Sequence, residues 1–340
     1  MRSETGNSQF EITETTTETK QDRLHQLVEQ YVLIPSRVVW SDNRARFGVL
    51  IVLLYILMGT VGVALVRQPS ANQGERLLAP FETMQFPLGT DNLGRGILAQ
   101  IVHATPYMLE MVLAGAVFTV TVATVVGTLA GYKGGVVDSA LMTVTDVMMT
   151  IPGLPLIIVL AVIIGPKSPY LVGIVLSINA WAGLARAIRS EVLALRYESY
   201  VEASRVLGLS TGTILRQDVI PNLMSYITMN FVQAARTVIF GSVGLYFLGI
   251  LTTNAPNWGK MMNLAYRTAG ALYTLDTAHW LLAPMLTIIL LSLGLTLLAQ
   301  GADRLFNPRI RARHADNAPD EDTGEVEDET TVGVESGGAL

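Results

Sequence analysis

The chain has 340 residues, half of them hydrophobic and only 15% charged, with a formal net charge of −5. It has no cysteine, which excludes disulfides, thiolate metal sites and cysteine nucleophiles. The acid is concentrated at the two ends, in Glu4, Glu11, Glu14, Glu18 and Asp22 and in a C-terminal run from Asp316 to Glu335 that lacks Lys and Arg, so the middle of the chain is net basic.

Residues 1–46 read as a cytoplasmic tail with room for a surface helix at Arg23–Ile34, and no basic-then-apolar leader opens it. The acidic ends fit solvated, unstructured termini or the acid-rich surface of a salt-adapted host. Six apolar stretches then follow: Phe47–Val66, Pro106–Gly131, Val144–Ile164, Tyr170–Leu184 running on toward Val192, Leu223–Ile250 and Trp280–Ala299. A span needs about 20 residues at 1.5 Å each to cross about 30 Å of hydrocarbon, so the expected fold is all-α and polytopic, with about six transmembrane helices over 47–303. The flanks holding Arg44, Arg46, Lys133, Arg186, Arg189, Arg196, Arg205 and Arg216 outweigh those holding Arg67, Arg76, Arg95, Lys167, Lys260 and Arg267, which puts both termini in the cytoplasm.

Taken in order, the first span reads as regular, with Gly59 and Gly62 permitting close helix contact. An external loop, 67–105, contains Phe86-Pro87-Leu88-Gly89-Thr90-Asp91-Asn92-Leu93-Gly94-Arg95-Gly96, in which Pro87 and Gly89 turn the chain and Asp91 is expected to cap a helix from Leu93. The second span carries Gly127-x-x-x-Gly131, a small-residue ridge, and ends in Ala130-Gly131-Tyr132-Lys133-Gly134-Gly135-Val136-Val137-Asp138, a tight turn rather than a phosphate loop. Pro152-Gly153-x-Pro155 predicts a kink or break in the third span.

Ser199–Asn222 is the most polar interior segment and reads as helix, turn, helix. Ser199 and Glu202 have capping-box spacing; Tyr200, Ala203, Val206 and Leu207 make an apolar face; Gly208 ends the helix; Ser210 or Thr211 caps the next; Pro221 opens the following span. That span carries Asn230, Gln233 and Arg236 on nearly one face. A buried guanidinium there would bond helix carbonyls, pair with a carboxylate such as Glu110 or Asp146, or line a translocation path. It ends in Phe247-Leu248-Gly249, followed by Pro256-Asn257-Trp258-Gly259-Lys260-Met261.

Glu202-Ala203-Ser204, Gly208 and Ile220-Pro221-Asn222 resemble the EAA loop of binding-protein-dependent ABC importer permeases, with Ser204 where a second Ala is usual and Ile220 where Leu is usual. The Pro87–Gly96 run, the Ala130–Asp138 turn and the Phe247–Met261 signature are similar to elements of the dipeptide, oligopeptide and nickel branch of that family (its C-type subunit). Gly96 replaces a usual Asp, and Ser242 stands where a Glu is common. The likeness runs from about Val49 to Arg309.

The resemblance implies a plasma-membrane permease subunit that moves di- or oligopeptides, nickel or oligosaccharides. It implies a second homologous permease, two ATPase subunits, an external substrate-binding protein and membrane lipid as partners, with no nucleic acid. It places the coupling loop at 199–222, with Glu202, Ala203, Ser204, Gly208 and Pro221 as ATPase-coupling residues; residues 304–340 form a tail. No enzymatic activity or cofactor is expected in this chain, because ATP is bound by the partner subunits. The rival reading is a secondary carrier, which polar residues and broken helices within spans also fit. A hydrolase elbow at Gly208–Gly212 is set aside because a helix precedes it and the histidines, His25, His103, His279 and His314, are scattered.

Overall fold

A computed structural model describes residue 40, residues 42–251 and residues 255–306, the last five as backbone only. The expected surface helix at Arg23–Ile34, the acidic N-terminal run and the chain beyond Phe306 lie outside the described residues. Regular structure among the described residues is helical, with one isolated antiparallel bridge pairing Thr90 and Gly96. In chain order the helices are α1 (Asn43–Leu65), α2 (Ile97–Lys133), α3 (Gly135–Thr150), α4 (Gly153–Ile164), α5 (Pro169–Leu176), α6 (Ala180–Leu195), α7 (Ser199–Val206), α8 (Thr211–Ile214), α9 (Ile220–Phe247), α10 (Trp258–Ala269) and α11 (Leu275–Phe306).

Helices α1, α2 and residues 275–301 of α11 are each long and apolar enough to cross a membrane, and the bent pairs α3–α4 and α5–α6 raise the number to five. Helix α9 is long enough at 28 residues, but Asn230, Gln233 and Arg236 make it less apolar. Leu50, Leu53, Leu54, Leu286, Ile289 and Leu293 are exposed on α1 and α11. Such continuous apolar surface belongs against lipid, not water.

Two expectations for the spans are corrected, for the first and the fourth, and the expected break in the third is met. The first span is not regular: α1 contains a π turn at Met58–Gly62, with Gly59 and Gly62 lying against Thr105 and Val102 of α2. Its wider turn marks the place where the two helices meet. The third stretch breaks completely after Thr150, and α3 and α4 meet at 88°. Pro152 cannot continue the hydrogen-bond ladder and pushes Ile151 into an extended conformation. The fourth is not continuous either: α5 and α6 are bent by 59° across Ser177–Asn179. There the Ala180 amide donates to Ser177 O and the Ala182 amide to Asn179 O, so tight local turns satisfy the backbone. The two breaks touch, because a Cβ on Gly153 would lie 2.6 Å from Asn179 Nδ2.

Helix α2 is the centre of the bundle and packs against α5, α6 and α9, while α1 packs along α11. Small residues set these spacings. A Cβ on Gly127 would lie 2.5 Å from Ala185 O, and one on Gly131 2.8 Å from Arg189 O. On the other seam a Cβ on Gly48 would lie 2.5 Å from Leu298 N. The glycines at 59, 62, 127 and 131 thus serve contacts within this chain.

Gly127→Val should therefore weaken the bundle by about 1–3 kcal/mol, since overpacking a tight seam moves backbone. Gly183→Ala, at a helical glycine with open space around it, should leave stability unchanged. Thermal unfolding of the two purified variants in detergent, followed by size-exclusion chromatography, checks the contrast.

Candidate coupling site and polar helix face

Helix α7 begins one residue earlier in its capping than the sequence predicts. Glu198, not Ser199, is the N-cap, in an extended conformation and without a side-chain cap bond, so the Ser199–Glu202 capping box does not form. The start is held instead by Glu198 O, which accepts from the Val201 and Glu202 amides. The far end matches expectation. Gly208 has φ +75°, its amide donates to Arg205 O, and the Leu209 amide donates to Ser204 O at 3.2 Å, the paired bonds of a glycine-terminated helix. Ser210 then caps α8 by accepting from the Thr213 amide.

The second helix of the segment is not separate. It runs from α8 through a π turn at Leu215–Val219 directly into α9. Pro221 has no N–H and its ring would clash with the carbonyl four residues back; the wider turn before it makes room for the ring. Asn222 Nδ2 donates to Asp218 O at 2.6 Å.

One side of α7 is anchored and the other is bare. Val201 is fully buried and shares a core cluster with Ile188 and Val192 of α6, Ile214 of α8 and Val219. Val206 and Leu207 are 83% and 78% exposed, and Glu202, Ala203, Gly208 and Pro221 are exposed with them, while Ser204 is half-buried. Partial burial, then the Glu198 and Asp218 carboxylates, push the Tyr200 hydroxyl above its ordinary value, so it stays protonated and neutral beside the bare strip.

Arginines tie this platform to α2. The Arg205 guanidinium lies 5.6 Å from the centre of the Tyr132 ring, and its Nη2 donates to Arg196 O. Arg196 Nη1 donates in turn to Gly131 O. Nearby, Arg189 holds Asp138 through two parallel bonds, and Arg186 pairs with Asp146. These ion pairs join α3, at Asp146 and Asp138, to the middle and second half of α6, at Arg186 and Arg189, across 40 and 51 residues of sequence. The Gly134–Gly135 turn, with φ of +66° and +56°, swings Asp138 into reach.

On α9, Asn230, Gln233 and Arg236 do lie on one face. Asn230 Nδ2 donates to Tyr226 O at 2.8 Å. Arg236 donates from Nε to Ser292 Oγ at 3.2 Å and from Nη1 to Gln233 Oε1 at 3.4 Å. Neither expected carboxylate is its partner: Asp146 is engaged by Arg186, and among the described residues no carboxylate forms an ion pair with Arg236. Tyr226, Asn230 and Gln233 form a ridge between two open grooves of 330 and 290 Å³. Thr296, Ala299 and Gln300 of α11 wall one groove, with Arg236; Ala180, Gly183 and Leu184 of α6 wall the other.

The opposite end of α2 carries the long loop of 66–96. Asp91 does not cap a helix from Leu93, since the helix starts at Ile97. Fully buried, Asp91 accepts from the Leu93 and Arg95 amides, from Arg95 Nε at 2.6 Å and from Gln100 Nε2 at 3.0 Å. Gly249 ends α9 at φ +73°, and Trp258 is buried with its Nε1 donating to Ile101 O. Ser242 is buried and donates to Ile239 O. The Pro87–Gly96 and Phe247–Met261 signatures are therefore the fastening of the loop and of α10 onto α2.

Gly208→Val has open space for its side chain but must adopt a left-handed backbone, at about 1–2 kcal/mol. Amide exchange over 201–208 should quicken while that of α2 stays unchanged; equal protection in variant and parent would contradict the glycine-ended helix.

A family described as "binding-protein-dependent transport system inner membrane component" matches residues 123–312. The chain is 30% identical over 277 residues to the dipeptide transport system permease protein DppC of Bacillus subtilis, covering 80% of this chain and 83% of that protein. The oligopeptide transport system permease protein OppC of the same organism is 28% identical over 284 residues, covering 80% and 90%. The glutathione transport system permease protein GsiD of Pectobacterium atrosepticum is 30% identical over 230 residues, covering 66% and 73%.

Proposed function

This chain belongs to the family of binding-protein-dependent transport system inner membrane components, and on that premise we propose that it passes peptides across the membrane using work done on helix α7. It is a multi-pass permease subunit of an ABC importer, and ATP is hydrolysed by separate subunits. The permease homology leaves the carrier alternative without support.

The observation that carries the proposal is the bare apolar strip of α7. Tyr200, Ala203, Val206 and Leu207 face outward from a helix that Val201, Arg196 and Arg205 hold against the end of α2. A short helix of this kind fits a groove on a cytosolic ATPase subunit. Glu202, Ala203, Ser204 and Gly208 shape the docking piece, and Pro221 with its π turn joins it to α9. The arginine-rich flank of α7 supports the reading in which this end, and both termini, face the cytoplasm.

The α9 stripe supports the second half of the reading. A guanidinium and two carboxamides on an open face are costly against lipid. A second, homologous permease would close the two grooves and complete a polar path lined by Asn230, Gln233 and Arg236. Peptides are the preferred cargo because the relatives are named for dipeptides, oligopeptides and glutathione. Arg236 would offer a forked donor to a passing carboxylate.

Leu207→Asp should leave the purified permease folded, since Leu207 is 78% exposed, but lower transport-coupled ATP hydrolysis by more than about tenfold by putting a charge in an apolar contact. Retained coupling in a well-expressed variant would sink the docking role. Arg236→Gln should reduce uptake of peptides with a free C-terminal carboxylate relative to amidated ones, without changing expression. A uniform loss that follows the amount of protein would make Arg236 structural.

A further inference from the structure

The first turn of α2 and the residues that follow α1 enclose a cavity of 490 Å³, within the range of about 300–1,000 Å³ that small-molecule sites occupy. Leu98 and Ala99 line it at one end of α2, whereas α7 is held at the other end, at Tyr132. Helix α2 has 37 residues, about 55 Å at 1.5 Å each, which exceeds the ~30 Å hydrocarbon layer. The cavity and α7 therefore belong to opposite faces of the membrane. Val66, next after the apolar span of α1, lies at its edge.

Its walls are held by the fold itself. Val66 O accepts from His103 Nε2 and Gln68 O from Gln73 Nε2, each at 2.9 Å, so the backbone is fixed on both sides of Arg67. The Asn72 amide donates to Leu93 O at 2.8 Å and the Gly74 amide to Gly94 O at 3.0 Å, which holds the loop against the residues before α2. The Phe86 ring fills the space over Gly74 and Gly96, where a Cβ would lie 2.5 and 3.0 Å from it.

Arg67 brings a positive charge to this lining, and none of the lining side chains is acidic. Among the described residues the exposed Arg67 guanidinium has no ion-pair or hydrogen-bond partner, nor have the side chains of Ser70, Asn72 and Gln85. A guanidinium presents a fork of donors that suits a phosphate, and the three neutral side chains can bond hydroxyl groups. Toward the middle of the membrane from Arg67, Leu57, Val61 and Leu65 of α1 are all exposed, an apolar surface that belongs against acyl chains. A cationic socket that begins where an apolar surface stops is complementary to an amphiphile. We propose that the cavity binds the phosphate and polar headgroup of a membrane phospholipid whose chains lie along α1. One cation without a matching acid fits a singly charged phosphodiester, and the neutral side chains favour a polyol headgroup such as glycerol. The inference rests on the span of α1 and not on cargo or coupling, so it can fail while the permease reading stands.

The test uses the full-length chain purified in detergent. Its Tm is followed as phosphatidylglycerol is added, and retained lipid is counted by native mass spectrometry. Phosphatidylglycerol should raise the Tm of the parent in a saturable manner, and phosphatidylcholine should do so less. Arg67→Gln should raise the half-saturating lipid concentration about tenfold, as loss of a charge-assisted contact does. Ala71→Trp, at an exposed lining position, should fill the cavity and abolish the saturable shift. Arg76→Gln removes an exposed cation of the same loop that does not line the cavity, and should change nothing. If Arg67→Gln is not recovered, Ala71→Trp against Arg76→Gln decides. Equal responses from the parent and the recovered cavity variants overturn the site. An Arg76→Gln loss as large as that of Arg67→Gln also overturns it, because surface charge alone would then explain the binding. Inorganic phosphate or glycerol phosphate that reproduces the full shift overturns a lipid as the source of the phosphate. In the complete transporter, an Arg67→Gln form that keeps its lipid but needs more external binding protein for half-maximal ATP hydrolysis would assign the cavity to that protein and overturn the proposal.

Discussion

Close backbone approach along α2 is the constraint on which the rest of the structure depends. In lipid, apolar side chains gain little by meeting one another, so helices associate where small residues let dispersion contacts and polar bonds form at short range. Gly115, Gly127 and Gly131 supply that condition. A Cβ on Gly115 would lie 2.6 Å from Ser177 Oγ and from Val238 Cγ2, and those on Gly127 and Gly131 would meet α6. The seam brings the C-terminal end of α6 beside that of α2, which is what lets Arg196 reach Gly131 O and Arg205 reach Tyr132. The position of α7 follows from that seam.

Charge then fixes what packing brings together. The forked Arg189–Asp138 pair is only partly exposed, at 29% and 17% for the two side chains. A planar, bidentate pair in such a setting constrains orientation more than an isolated surface contact does. With Arg186–Asp146 it ties α3 to α6 at two points. A load on α7 thus meets a braced platform, which passes on displacement instead of absorbing it.

The sequence made legible whatever is encoded locally. The apolar stretches locate the helices, Gly208 marks the end of α7, and Pro152 marks the break after α3, because each acts through the backbone of its own neighbourhood. Faces and partners were less legible. Tyr200, Ala203, Val206 and Leu207 share one apolar face, as their spacing predicts, yet periodicity cannot say that the bare side is theirs and that Val201 is the anchor. Both faces of α7 carry apolar residues, so only packing against Ile188 and Val219 decides. The capping box failed by one position, since Glu198 can cap through its backbone and the side-chain signal at Ser199 was irrelevant. The break at Ser177–Asn179 had only weak turn formers to announce it and depends on contact with Gly153. Asp91 illustrates a different limit: its four hydrogen bonds are local, but a capping role and a loop-fastening role share the same residue type. Asp138–Arg189 joins residues 51 apart, and a basic residue at a membrane flank reads first as a topology signal.

The run from α8 to α9 connects α7 to the polar stripe of α9 without a break in the backbone. Ser210 caps α8, the chain continues through the π turn, and α9 follows without a loop. From Ile220 to Arg236 the helix rises about 24 Å at 1.5 Å per residue, so a small tilt at the Pro221 end becomes a larger displacement at the polar stripe. The π turn is the compliant point in this lever, because its hydrogen bonds are already off the regular ladder. Gly208, where α7 ends before α8, is the other. Between these two points lies the short α8, whose Ile214 is buried in the same cluster as Val201. A force on the bare face of α7 therefore reaches α9 through packed side chains as well as through the backbone. The partly exposed stripe of Asn230, Gln233 and Arg236 sits between the two grooves, where on the proposed reading such a tilt would open one as it narrows the other.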